Sequence, residues 1–387
     1  MFRSALFAAT ALSLAGIAPA SAQLALSAND GKVRLVDGVT QVQQNPTPDS
    51  VAIIDFARGT PRVVATVLAP TSVVGPPQSV AITPDESLAL VTSAMRIDPA
   101  NPRATIPDNR VSVIDLKANP PAVIATLEVG RGAAGVSISP SGTLALVANR
   151  SEGTVSVLTI AGKTVTVGPK IALGEANSGP SLPVFTRDGR MALVTRDNDH
   201  KISVLSIEGS TVTYTRRDLN AGLRPYGIDV GSRGDVAVVA NIGIGGGDAD
   251  TVSVIDVRAN PPRVVNTVSV GQTPEGIKMS HDGRFVAVLT MNGSNKPRTS
   301  PFFAERGSVM VYRIRGFQLE QIAVAPIGQW SQGIVWSADG RRLMVQNMVA
   351  RDIQVFELSG RRLREIARLP FETGPAGMRT AEHIPAR

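Results

Sequence analysis

Apolar residues fall along this chain in short strand-length runs rather than at helical spacing. A core of the type V-x-V-I/L-x-L recurs seven times, beginning at Val51, Val111, Val155, Ile202, Val252, Val309 and Ile353, at intervals of 44 to 60 residues. The runs carry Val, Ile or Leu on both faces, the pattern of a strand buried on both sides. Shorter runs and turns flank each copy in a fixed order. In the clearest unit, Ser79–Ile82 reads as a first strand, Thr83–Glu86 as a turn and Leu88–Val91 as a second strand. Val111–Leu116 is then the third strand and Val123–Leu127 the fourth. Equivalent turns read Asn29-Asp30-Gly31, Ser141-Gly142, Asp188-Gly189, Arg233-Gly234, Asp282-Gly283 and Asp339-Gly340. Glycine supplies the positive φ of a tight hairpin and Asp caps it through its own backbone.

Four short strands repeated about every 50 residues are the signature of propeller blades. The pattern therefore predicts an all-β fold: a seven-bladed β-propeller of four-stranded antiparallel blades, forming a single domain over residues 23–387. Ring closure stays open. Leu24–Ser27 can supply the first inner strand, but Gly374-Pro375-Ala376-Gly377-Met378 begins another.

Leu146-Val147-Ala148-Asn149, Val238-Val239-Ala240-Asn241 and Met344-Val345-Gln346-Asn347 each precede a V-x-V-type strand, and Val270-Gly271-Gln272-Thr273-Pro274-Glu275-Gly276 is a V-G-x-x-P-x-G linker. With these motifs the mature chain resembles the bacterial YVTN-type propeller repeats, within a wider group that includes lactonase-like and haem-d-type nitrite reductase propellers. The resemblance implies the fold and leaves the activity open. The recurring Asn reads as a turn cap rather than a ligand.

Residues 1–22 have a charged start, an apolar run over Ala5–Ala18 and an A-x-A cleavage site at Ala20-Ser21-Ala22, which predicts a secretory signal peptide with the mature chain beginning near Gln23. The run is too short to span a membrane, so a periplasmic monomer is expected, with an extracellular location the alternative. With no Cys, the chain excludes thiol nucleophiles, zinc-thiolate sites, covalent c-type haem and disulfides. The net charge is +7, and residues 341–387 hold nine Arg against five acids. Aromatics are only 4% of the chain and do not interleave with the arginines, so nucleic acid is not an expected partner.

Strand order puts the fourth-to-first and second-to-third connections on one rim. Insertions at Ser93–Arg110, Asn241–Asp250 and Met291–Arg306 all fall there, marking it as the binding face. Its charged and aromatic residues include Arg96, Asp98, Glu152, Glu175, Asp197, Asp199, His200 and Tyr226. The candidate ligand-binding set is Arg131, Arg224, Glu275, Trp330, Arg150 and Arg196; the first four lie on linkers entering inner strands, nearest the axis. Guanidinium groups beside an indole suit a small anionic ligand, and a protein partner is the other expected occupant. Of three histidines only His200 is placed to act as a base or an axial ligand, and no G-x-S-x-G, H-E-x-x-H or Walker motif is present. No metal site or cofactor is predicted. The favoured expectation is a non-catalytic binding or scaffold propeller, and the alternative is a lactonase-like hydrolase of a lactone or ester.

Overall fold

Val, Ile, Leu and Ala fill the strand interiors, and in the computed structural model, which describes residues 23–57 and 59–381, they form thirty-two strands and no helix. The signal-peptide expectation at 1–22 lies outside the described residues. Seven four-stranded antiparallel sheets form a seven-bladed propeller. Each V-x-V core is a third strand: Ser50–Asp55, Arg110–Asp115, Thr154–Ala161, Lys201–Glu208, Asp250–Asp256, Gly307–Arg315 and Asp352–Ser359. The inner strands of blades 2 to 7 are Val80–Ile82, Ala133–Ile138, Pro180–Phe185, Pro225–Val230, Pro274–Met279 and Ser331–Trp336.

The two chain ends close the ring. In blade 1 the order from the axis outward is Gly374–Thr380, Leu24–Asp30, Ser50–Asp55, Arg62–Leu68. The C-terminal segment is thus the inner strand, paired antiparallel from Ala25 opposite Thr380 to Asp30 opposite Gly374. Leu24–Asp30 is a second strand, which corrects the reading of Asn29-Asp30-Gly31 as a first-to-second hairpin turn. That sequence ends a second strand on the opposite rim, as Asn149 does in blade 3. A further insertion follows from this. Residues 31–49 connect the second and third strands of blade 1 and carry a hairpin, Val33–Val36 with Val39–Val42. The blade 2 insertion carries another, Met95–Asp98 with Asn101–Pro107.

Burial follows from stacking the sheets face to face. Seven apolar clusters fill the seven blade-to-blade interfaces. Trp336 and Phe356 fill the interface between blades 6 and 7, and Phe56 joins Met344 and Val355 between blades 7 and 1. Fourth strands, on the outer edge, alternate exposed and half-buried residues, as in Ala122–Glu128. Each fully buried large side chain contributes about 1.5–3 kcal/mol. Ending the chain at Leu369 removes the blade 1 inner strand with Ala376 and Met378, and leaves the Leu24–Asp30 edge unpaired. The melting temperature should fall by about 10 °C or more in a calorimetric scan, at roughly 2–4 °C per kcal/mol. An unchanged melting temperature would contradict this closure.

Candidate functional site

The linker motif explains how side chains reach the axis. Gly328 donates its N–H to Asn347 Oδ1 at 2.8 Å, and a Cβ there would sit 2.6 Å from the Asn347 amide carbon. The first glycine therefore seats the linker on the rim asparagine. Asn347 in turn donates to Asp352 and Gln354, as Asn149 does to Thr154 and Ser156, tying second strand to third. This is structural capping. A Cβ at Gly276 would lie 2.5 Å from the Gln332 carbonyl oxygen, so the second glycine lets neighbouring inner strands approach edge to edge. The residue between Pro and Gly is left to face the throat. Around the ring this position holds Gln78, Ala134, Ser181, Tyr226, Glu275, Gln332 and Ala376.

Blades 3 to 6 build one charged cluster on the loop-rich rim. Asp197, just past the second strand of blade 4, has a side chain with no exposure. Its carboxylate accepts from Arg150 of blade 3, with Nη2 at 2.9 Å, from Arg224 Nη2 of blade 5 at 2.7 Å and from Ser181 Oγ at 2.8 Å. The Arg150 guanidinium also lies over the Tyr226 ring, 5.6 Å from its centroid, and donates to Ser181. The Arg224 backbone N–H donates to His200 Nδ1 at 3.1 Å, which makes Nδ1 an acceptor and places any neutral-ring proton on Nε2.

Burial and charge pull these groups apart in acidity. The Arg150 and Arg224 contacts hold Asp197 below the usual carboxylate range against the effect of its burial. Burial pushes Glu275 up to about 8; the positive charges of Arg150 and Arg224 oppose the rise and the negative charge of Asp197 adds to it. Burial likewise raises the Tyr226 phenol well above its ordinary value. At neutral pH the cluster therefore holds two guanidinium groups, one carboxylate and one carboxylic acid. The residue before an inner strand adopts positive φ at Gly132 (71°), Gly179 (69°), Arg224 (55°), Thr273 (51°) and Trp330 (48°). The conformation belongs to the linker repeat, and at 224, 273 and 330 a non-glycine residue adopts it at a cost of about 1–2 kcal/mol.

The structure brings together three of the six candidates and separates the others. Arg150, Arg224 and Glu275 meet at the cluster. Arg196 instead lies within blade 4, where its buried guanidinium donates to Ser203, Tyr214, Asp218 and Asp199. Its strand position alternates it away from the mouth. Arg131 is exposed, and its backbone N–H donates to Glu152. Trp330 packs beside Val33, Val73, Val74, Met348 and Ala376, towards blades 7 and 1. The four linker residues expected to converge thus yield only Arg224 and Glu275. Asp197, Ser181 and Tyr226 complete the cluster. Asp197 and Tyr226 were visible as two rim residues among many, and the inner-strand slot shared with Tyr226 and Glu275 was the signal for Ser181.

The opposite end of the axis is filled. Asp229 accepts from Lys278 Nζ at 2.9 Å and Met279 N at 2.8 Å, while Arg379 reaches from blade 1 to the Val136 carbonyl of blade 3 at 3.1 Å. The cavity beside Lys278 and His281 measures about 40 Å³, room for water and little more.

No protein-family model matches the chain, and no curated protein matches it in sequence. Solved structures share its fold. A candidate 6-phosphogluconolactonase from Bacteroides uniformis superposes with a TM-score of 0.71 at 14% identity, over 93% of this chain and 100% of its own. The periplasmic gluconolactonase of Pseudomonas aeruginosa gives 0.66 at 16% identity, over 93% and 99%. Hydrazine synthase of Kuenenia stuttgartiensis gives 0.62 at 17% identity, over 80% and 90%. At these identities the likeness shows the propeller fold alone.

Replacing Asp197 with Asn should lower stability by about 2 kcal/mol in urea denaturation. This is less than the roughly 3–5 kcal/mol of a fully buried pair, because Arg150 and Arg224 both keep contact with water. Arg131→Ala should stay within about 0.5 kcal/mol of wild type. Equal losses in the two variants would contradict the cluster described.

Proposed function

We propose that the chain is an exported propeller acting as a monomer, which binds a small anionic molecule at the mouth formed by Arg150, Arg224, Tyr226 and Glu275. The observation that carries this reading is the pair of guanidinium groups fixed on one carboxylate. With Glu275 protonated, the cluster has a net charge of +1 at neutral pH, and Arg224, which gives Asp197 only its Nη2, keeps donors for a carboxylate or phosphate. Export rests on the sequence of residues 1–22.

A second reading is hydrolysis of a lactone or ester. Glu275 favours it, because an acid titrating near neutrality can serve in general acid–base chemistry, and proteins of the same fold are named as gluconolactonases. The two readings predict opposite pH dependence. As pH rises through about 8, Glu275 ionises and the cluster falls from +1 to neutral, so affinity for an anion should fall. A hydrolase using the Glu275 carboxylate as base should instead become faster over the same interval.

Calorimetric titration with gluconate at pH 7 and pH 9 tests the binding reading, alongside hydrolysis of glucono-δ-lactone followed by proton release. Arg224→Gly should abolish gluconate binding while lowering the melting temperature less than Asp197→Asn, because glycine relieves the left-handed backbone. Wild-type affinity that is equal at the two pH values and insensitive to Arg224→Gly would reject the binding site. Lactone turnover that rises through pH 8 and is lost in Glu275→Gln would establish the hydrolase.

A further inference from the structure

Gln332 occupies the throat-facing slot of the blade 7 inner strand, adjacent to the slot that holds Glu275 in blade 6. It is fully buried, yet neither its side-chain nitrogen nor its side-chain oxygen has a hydrogen-bond partner among the described residues. Because both ends of the amide are orphaned, flipping it resolves nothing. Gln78, in the same slot of blade 2, leaves its side-chain oxygen unpaired as well. Gln346 shows the contrast. Also fully buried in blade 7, it donates to Ser27 and to the Gly377 carbonyl and accepts from Gly333 N–H. Asn149 and Asn241, which cap the fold, each leave only an oxygen unpaired; among the described residues Gln332 is the carboxamide with both ends unpaired, and such an amide loses its hydration without return.

Resting on the anion-binding reading of the mouth, we infer that Gln332 is a specificity-determining contact whose carboxamide pairs with a neutral polar group of the bound ligand. The ligand is then two-part: an anionic head at Arg150 and Arg224, and a hydroxyl or amide, able to donate and accept, directed into the throat toward Gln332. A buried amide that hydrogen-bonds a ligand discriminates against an analogue lacking the matching group, since binding that analogue leaves the amide unpaired.

Gluconate and hexanoate, six-carbon carboxylates with and without hydroxyl groups, separate the two parts. Wild-type protein at pH 7 should bind gluconate at least tenfold tighter than hexanoate in calorimetric titrations. Gln332→Met, close in volume and without polar donors, should weaken gluconate about tenfold, leave hexanoate unchanged and not lower the melting temperature. Gln332→Asn, which keeps an uncharged amide but withdraws it by one methylene, is the second variant and should also weaken gluconate while leaving hexanoate unchanged. Unchanged gluconate-to-hexanoate ratios in both variants, or a lower melting temperature with both ligands weakened alike, would make Gln332 structural and overturn the assignment. Equal wild-type affinity for the two carboxylates would overturn it while sparing the anion site. Binding of neither would remove the anion site and this assignment together.

Discussion

Everything at the mouth depends on closure of the ring. Seven inner strands can stand edge to edge only if the last meets the first, and the antiparallel pairing of Gly374–Thr380 with Leu24–Asp30 makes that join with residues from opposite ends of the chain. Arg379, carried on the closing strand, extends the join across the axis to the Val136 carbonyl and towards Asp229. Glycines at the second linker position set how closely the strands approach. Arg150, Asp197, Arg224 and Glu275 come from four successive blades, so an open ring would leave them as separate surface charges in water. Closed, they share one poorly hydrated space in which each alters the others' acidity.

The two ends of the axis differ in a way that gives the ring a polarity. At the tight-turn end, Asp229, Lys278 and Arg379 gather around the axis and tie several blades together. At the loop end, Asp197 fixes two guanidinium groups while Glu275 stays protonated at neutral pH and partly reachable by water. Charge at one end ties blades together around the axis; at the other it gathers on a rim carboxylate. The rim insertions, including the Val33–Val42 hairpin whose tip meets the 296–298 segment through Asp37 and Arg298, shape the approach to that mouth on the side of blades 1, 6 and 7.

Blade number, strand order and the rim that carries the insertions were legible because they follow from local rules: period, turn chemistry and two-faced burial. The closure was not, because Leu24–Asp30 and Gly374–Thr380 both read as inner strands, and only long-range pairing decides between them. That ambiguity also hid the 31–49 insertion behind an apparent hairpin turn. At the site, Arg224 and Glu275 could be found from their linker positions. Arg196 could not be distinguished from Arg150 by sequence, since both lie at the rim end of a second strand; one residue of alternation sends Arg196 into its own blade and Arg150 to the mouth. Trp330 sits at the right depth on the wrong side of the throat, a matter of which blade it enters rather than of its residue type.

Propellers of this shape carry unrelated chemistries, so the fold leaves function to the residues that break the repeat. Here those residues act as a unit only if closure places Glu275 in the field and shelter of its neighbours. The most direct test is a pH titration of the Glu275 side-chain carboxyl by ¹³C NMR, assigned by comparison with Glu275→Gln. A midpoint near 8 is the predicted result. A midpoint near 4.5, the ordinary value for a solvated glutamate, would mean that the four blades do not form one site.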